Sequence, residues 1–333
     1  MTNDFLLHDC LKAVSEACSL ARSAQKSISD IKQHKKMDHS PVTVADYAIQ
    51  ALIAYSLQRA TRSPLLLAGE EDSNSLRSDD TLAKAVTECV GETLSGITTS
   101  EVLDTIDLGN HDATSERYWT LDPIDGTKGF LRGGHYAISL ALIEQGQVVF
   151  GIMGCPNLST RLMDPLDTPG EKGCIFYATK GVGCWITADD LNELKPVPID
   201  VSGSVSDKNT IRICGSVEWR HSSINANKKI ADHLQMESET IQIDSQCKYS
   251  IVARGQSDAY IRLPTDKFYI EKIWDHAAGK LIAEEAGAIV TDARGKPLDF
   301  SHGRLLQKNQ GIVCASNALH SPILQSIEQL NLI

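Results

Sequence analysis

Asp122 and Asp125 stand three residues apart at the end of an apolar run, in Trp119-Thr120-Leu121-Asp122-Pro123-Ile124-Asp125-Gly126-Thr127. Pro123 and Gly126 bend the chain there, and Thr127 adds a hydroxyl. Paired carboxylates, a turned backbone and a hydroxyl at the start of a helix suit hard cations and a phosphate group. Other acids occupy comparable places: Asp46 in the first turn of an expected helix, Glu70 and Glu71 after a short apolar strand, and Asp275 before the small-residue run Ala277-Ala278-Gly279. Taken singly, Asp46 and Asp275 read as helix N-terminal acids or caps, and Glu70-Glu71-Asp72 as a solvated loop. Apolar flanks change that reading, because they carry each acid to the edge of a core. Carboxylates gathered there repel one another and call for cations. The expected chemistry is that of a metal-dependent phosphate enzyme.

The elements that must position these acids are legible from periodicity. Residues 4–32 read as one long amphipathic helix, with Leu7, Leu11, Val14, Ala17, Cys18 and Ala21 on one face. A polar link (32–40) leads to a second helix (45–59) and a buried strand (65–68). The stretch 73–117 is polar, mostly helical or loop, and has the character of an insertion. Strands follow at 119–121, 135–144 and 147–155, the last two joined at Gln145-Gly146, and another pair at 174–178 and 183–186 turns at Lys180-Gly181. A polar seam at 193–208 precedes strands (211–214, 259–263, 288–291, 311–315) alternating with helices (223–235, 247–254, 276–286, 321–330). An antiparallel sheet with helices, followed by a smaller α/β part, is the expected α+β arrangement, divided as 1–200 and 201–333.

The totals set bounds. A chain of 333 residues needs one large core or two packed parts, and 42% hydrophobic with 23% charged residues is ordinary for a globular protein. A net charge of -11 disfavours a nucleic-acid or anionic-membrane binder, but leaves an anionic substrate open where bound cations reverse the local field. There is no apolar run long enough for a transmembrane helix and no secretory signal at Met1-Thr2-Asn3-Asp4. Nine cysteines with no Cys-x-x-Cys pair point to reduced thiols in a cytosol-like compartment, with plastid or mitochondrion as alternatives. Cys155, Cys174, Cys184, Cys214 and Cys247 read as small buried hydrophobes. Oligomeric state is expected to be monomer or weak dimer.

Two resemblances bear on these residues. The Asp-x-Asp-Gly-Thr nucleophile motif of haloacid-dehalogenase phosphatases is similar only locally: here two residues separate the acids, one of them proline. By contrast, Gly69-Glu70-Glu71, Asp122-Pro123-Ile124-Asp125-Gly126-Thr127 and Trp274-Asp275-His276-Ala277-Ala278-Gly279 resemble, in this order, the three signatures of the lithium-sensitive, magnesium-dependent phosphomonoesterases, which include inositol monophosphatases. Within that superfamily the chain resembles the 3'(2'),5'-bisphosphate nucleotidase branch, through Pro41-Val42-Thr43-Val44-Ala45-Asp46-Tyr47, Gly126-Thr127-Lys128-Gly129-Phe130-Leu131-Arg132-Gly133 and Glu271-Lys272-Ile273-Trp274-Asp275-His276. The long 73–117 stretch is also similar to that branch.

The resemblance implies a layered αβαβα sandwich. It implies two or three Mg²⁺ held by Glu70, Asp122, Asp125, Asp275 and the carbonyl of Ile124, with Li⁺ inhibitory. Pro123 makes sense of that carbonyl, since it restricts the turn that presents it. Asp46 resembles the proton acceptor, acting through the Thr127 hydroxyl on a metal-activated water, and Glu71 a residue that orients such a water. Gly126 and Thr127 would receive phosphate oxygens on backbone N–H groups. His221, Ser245, Lys248 and Arg262 match nucleotide-binding positions; Lys248 and Arg262 suit a 5'-phosphate, whereas taken alone they read as a helix-surface lysine and a strand-end charge. His135, His276 and Lys128 are expected to shape the site. The implied reaction removes the 3'-phosphate of 3'-phosphoadenosine 5'-phosphate to give AMP, with the 5'-phosphosulfate as second substrate. An inositol phosphate phosphatase and a non-catalytic nucleotide sensor are the alternatives.

Overall fold

The computed structural model describes residues 4–26, 34–35, 41–42, 44–61, 64–170, 172–191, 196–201, 209–217, 224–264 and 268–333. Its first part comprises α1 (Asp4–Lys26), the short strands β1 (His34–Lys35) and β2 (Pro41–Val42), α2 (Val44–Ala60), β3 (Leu67–Gly69), α3 (Asn74–Arg77), α4 (Asp80–Gly91), α5 (Thr99–Asp107), β4 (Arg117–Asp125), α6 (Thr127–Leu131), β5 (Ala137–Glu144), β6 (Gln147–Cys155), β7 (Cys174–Thr179), β8 (Gly183–Ala188) and β9 (Val197–Ile199). The second comprises β10 (Thr210–Gly215), α7 (Ile224–His233), β11 (Glu237–Gln242), α8 (Cys247–Ala253), β12 (Ala259–Arg262), α9 (Ala277–Glu285), β13 (Ala288–Thr291), β14 (Ile312–Ser316) and α10 (Asn317–Gln329).

Among the described residues, strands β3 to β9 form one sheet in chain order, and a second sheet runs β11-β10-β12-β14-β13. In the first, β3 lies parallel to β4 and every later pairing is antiparallel. In the second, β10 is parallel to β11 and β12, while β14 is antiparallel to β12 and β13. Helices α1 and α2 cover one face of the first sheet; α8 and α9 lie between the sheets; α7 and α10 cover the far face of the second. The result is the αβαβα layering that the resemblance implied.

Alternation along the strands explains the layers. On β4 and β5, Trp119, Leu121, Ile138, Leu140 and Leu142 point into the core shared with α1 and α2, whereas Tyr118, Ala137, Ala141 and Ile143 point into the core around α8 and α9. The hairpin between β5 and β6 turns on Gln145 and Gly146, both with positive φ (50° and 72°), the geometry suited to a two-residue loop. Helices α4 and α5 pack on α2, so the 73–117 stretch thickens the outer helical layer. The first helix is described over Asp4–Lys26, and the rest of its expected span, 27–32, lies outside the described residues. Strand β11 departs from the expected pattern: its side chains are mostly exposed and polar, and it joins the sheet edge through its backbone.

Helix α9 approaches its neighbours closely because its first turns are Ala277-Ala278-Gly279. A Cβ at Gly279 would lie 2.3 Å from the Tyr249 ring of α8. In an open helix, glycine to alanine stabilises by about 1 kcal/mol. Here the sign should reverse: Gly279→Ala is expected to destabilise by about 1–3 kcal/mol through overpacking, read from the shift in urea midpoint. A stabilised variant would contradict the packing described.

Candidate active site

The acids converge at the C-terminal ends of β3 and β4 and the N-terminal ends of α8 and α9. In a regular strand Asp122 and Asp125 would face opposite ways. The β4–β5 register shifts between them, however, leaving Pro123 and Ile124 out of the pairing. Ile124 therefore joins Trp119 and Leu121 in the outer core, and Asp125 turns to the same side as Asp122. Gly126 follows with φ +87°, and a Cβ there would come 2.9 Å from Ser245. Glycine at that position both allows the left-handed turn and lets the α6 start approach the loop before α8. The Thr127 hydroxyl donates to the Ile124 carbonyl at 3.2 Å.

Glu70 and Glu71 leave β3 beside this turn, with Glu70 N–H donating to Leu121 O at 3.1 Å. The buried Gln50 of α2 grips the next residue at both backbone groups. It accepts from Glu71 N–H at 2.9 Å and donates to Glu71 O at 2.5 Å. Asp275 arrives from the other end of the chain. Gln246 holds that approach: its side chain donates to Trp274 O at 2.8 Å and accepts from Gly279 N–H at 3.2 Å, and its own N–H donates to Asp125 at 2.5 Å.

The electrostatics record how close the acids lie. Burial pushes the Asp122 carboxyl well above the usual carboxylate range, and Glu70, Asp125, Asp275 and Asp46 push it further. Burial raises Asp275 likewise, with Asp125 and Glu70 adding to it. Asp125 is raised by burial, against the pull of Lys248 and the Gln246 N–H. Asp122 Oδ1 is buried with no hydrogen-bond partner among the described residues. Such a set of hard oxygen donors, with an orphaned carboxylate oxygen at its centre, fits divalent cations.

A second acidic group, Glu271, Asp275 and His276, has ligand atoms within 4.8 Å of one another. Two of its members are engaged elsewhere. Glu271 accepts from Arg262 at 2.7 Å and from His276 Nε2 at 3.1 Å, while the Tyr249 hydroxyl meets His276 Nδ1 at 2.9 Å. Against burial, which would raise it, Arg262 and His276 pull the Glu271 carboxyl down to about 2. Glu271 thus anchors Arg262, and Asp275 is the member turned towards the acidic cluster.

A solvent-open cleft of about 220 Å³ lies beside the acids, lined among others by Asp125, Thr127, Ser245, Lys248, Arg262 and Asp275. Ser245 adopts φ +67°, rare for serine, and its carbonyl accepts from Lys248 Nζ at 3.2 Å. Lys248 is buried, which lowers its pKa, with Asp125 and Asp244 opposing, and its ammonium stands 5.6 Å from the Tyr260 ring centre.

The expected site residues thus largely meet. Asp46, Glu70, Asp122, Asp125 and Asp275 act on one another, Glu71 is buried behind Glu70, and Gly126, Ser245, Lys248 and Arg262 line the adjoining cleft. Lys128 lines the same cleft. His135 is buried with Nε2 on Leu166 O at 2.7 Å, and His276 is tied to Glu271 and Tyr249. His221 lies outside the described residues. Gln50, Gln246, Glu271 and Tyr260 are functional neighbours that sequence reasoning misses. Gln50 carries a signal, as a lone polar residue within the apolar run of α2; Glu271 stands inside the Glu271-Lys272-Ile273-Trp274-Asp275-His276 motif with no role evident from sequence.

The chain matches the model of the inositol monophosphatase family over residues 6–332. It is 40% identical over 302 residues to the 3'(2'),5'-bisphosphate nucleotidase of Schizosaccharomyces pombe, covering 87% of this chain and 84% of that protein. With the protein of the same name from Dictyostelium discoideum it shares 39% over 324 residues, 96% of this chain and 95% of the relative. Among solved structures, the extragenic suppressor protein suhB of Bartonella henselae superposes with a TM-score of 0.65 at 18% identity, over 97% of this chain and 98% of that one. CysQ of Bacteroides thetaiotaomicron, described as a bacterial member of the inositol monophosphatase family, gives 0.60 at 21% identity, over 93% and 96%.

The raised carboxyls couple the stability of the metal-free protein to pH. Folded-state pKa values above the unfolded value of 3.8 contribute stability below that value and lose it as pH rises through the folded pKa. Glu271 acts oppositely, but only below its unfolded value of 4.5, and His135 and His320, lowered by burial, act oppositely as pH rises through 6.5. Measured against Asp122→Asn, which leaves the histidines untouched, the wild type's thermal midpoint in EDTA should fall as pH rises from about 4.5 to about 7.5, and Mg²⁺ should flatten the decline. A metal-free midpoint that rises relative to that variant over this range would contradict the clustering.

Proposed function

Because the chain belongs to the inositol monophosphatase family, we propose that it is a 3'(2'),5'-bisphosphate nucleotidase, removing the 3'-phosphate of 3'-phosphoadenosine 5'-phosphate to give AMP and phosphate, and acting also on the 5'-phosphosulfate. The carrying observation is that one cleft joins Asp125 and Asp275 of the acidic cluster to Lys248 and Arg262. A bisphosphorylated nucleoside offers two anions, and the cleft offers two unlike receptors for them.

In this reading Glu70, Asp122, Asp125, Asp275 and the Ile124 carbonyl hold Mg²⁺, two or three ions, with Li⁺ inhibitory. Bound there, the cations would supply an activated water and neutralise charge at the leaving oxygen. The chain's own residues do the rest. Gly126 and Thr127 N–H groups receive the scissile phosphate at the α6 start. The Thr127 hydroxyl relays the proton of the attacking water to Asp46, and Glu71 would orient a cation-bound water. Lys248 and Arg262, the latter fixed by Glu271, neutralise the 5'-phosphate, while Ser245 donates to the nucleotide and His221 packs on the base. The same reading divides the chain into 1–200, carrying most cation ligands, and 201–333, carrying Asp275 and the nucleotide contacts. It places the enzyme, as monomer or weak dimer, in the cytosol, or else in plastid or mitochondrion. Among the described residues no helix is long and apolar enough to cross a membrane.

The test is phosphate release with Mg²⁺ from 3'-phosphoadenosine 5'-phosphate, adenosine 3'-phosphate, inositol 1,4-bisphosphate and inositol 1-phosphate. The bisphosphate nucleotide should be preferred, and EDTA or Li⁺ should abolish release. Lys248→Met should raise KM about tenfold or more for the bisphosphate while hardly altering it for adenosine 3'-phosphate. Preference for an inositol phosphate would overturn the substrate assignment.

A further inference from the structure

Glu70 and Asp275 come from opposite ends of the sequence, and one side chain ties their two loops together. The Arg304 guanidinium donates to Gly69 O, immediately before Glu70, to Gly109 O at 3.1 Å and to His111 O at 2.9 Å. Its carbon stands 4.7 Å from the ring centre of Trp274, immediately before Asp275. The backbone completes the link. Ile273 N–H donates to Arg304 O at 3.2 Å, Lys272 pairs with Leu305 antiparallel, and Leu306 N–H donates to Glu271 O at 2.9 Å. Gly69 and His111 are themselves joined to this corner, by Gly69 N–H to Gly109 O and His111 N–H to Leu67 O, at 2.9 and 3.0 Å.

We propose that Arg304 is a positioning residue, a clamp that holds the Glu70 loop and the Asp275 loop at the spacing a shared cation requires. The inference rests on the metal-dependent reading of the acidic cluster. Arginine is chemically suited to this role, because its planar fork reaches three carbonyls at once while its face lies on an indole. A lysine would keep the charge and lose the fork. The clamp also opposes the mutual repulsion of the acids, which would otherwise drive the two loops apart before a cation arrives. Gln50 holds the same corner from the far side, donating to both Glu71 O and Ile106 O, so Arg304 acts against a fixed anvil.

The experiment is Mg²⁺ binding by calorimetry for the wild type, Arg304→Lys and Arg304→Gln, with the unfolding midpoint in EDTA and kcat and KM measured alongside. The clamp predicts folded variants whose Mg²⁺ affinity falls by about 10–100-fold. At saturating Mg²⁺ their kcat should be lower and their nucleotide KM within about twofold of wild type. Arg304→Lys, which keeps stem and charge, decides the matter if Arg304→Gln does not fold. A folded variant that binds Mg²⁺ as the wild type does, or one whose KM alone rises, overturns the proposal. A wild type that binds no Mg²⁺ brings down the metal reading itself, and the clamp with it.

Discussion

Like charges held together away from water are the constraint around which this structure is arranged. Asp46, Glu70, Asp122, Asp125 and Asp275 come from four segments of the chain, and the other four bear on the buried carboxyl of Asp122. Each would be better solvated apart. Their convergence is maintained by the two cores on either side of the first sheet, whose apolar burial fixes the strand ends on which the acids ride. The bulge in β4 is the local device, because without it Asp125 would point into the outer core beside Leu121.

A network of neutral and cationic hydrogen-bond donors opposes the repulsion without cancelling it. Gln50 fixes the main chain at Glu71, Gln246 bridges Asp125 to the start of α9, and Arg304 joins the Glu70 corner to Trp274. Most of these bonds reach backbone rather than the carboxylate oxygens. The loops bearing the carboxylates are thereby immobilised, which is the arrangement a preformed metal site needs. Arg262 differs in being neutralised from one side by Glu271.

The acids themselves are legible in the sequence, because residue type and apolar flanks suffice to mark them, and the spacing Asp122-Pro123-Ile124-Asp125 announces a turn. Strand pairs joined at Gln145-Gly146 and Lys180-Gly181 are legible for the same local reason. What sequence could not supply is the set of partners distant along the chain. Gln246 and Arg304 look like ordinary polar residues until folding brings them to Trp274, and Glu271 has no visible role until Arg262 lies beside it. Strand β11 escapes because an exposed, polar edge strand has no apolar alternation to betray it. The αβαβα layering comes through family resemblance rather than periodicity, since short apolar runs do not by themselves reveal how two sheets stack.

The central claim is that the cluster is destabilised by its own charge and completed by divalent cations. Asp122→Asn tests it most directly, because it removes one buried charge while keeping the shape. The account predicts that, in EDTA at neutral pH, this variant melts at a higher temperature than the wild type, gains less from Mg²⁺ and releases no phosphate from 3'-phosphoadenosine 5'-phosphate. A variant that melts lower than the wild type in EDTA, or that retains Mg²⁺-dependent turnover, would contradict it.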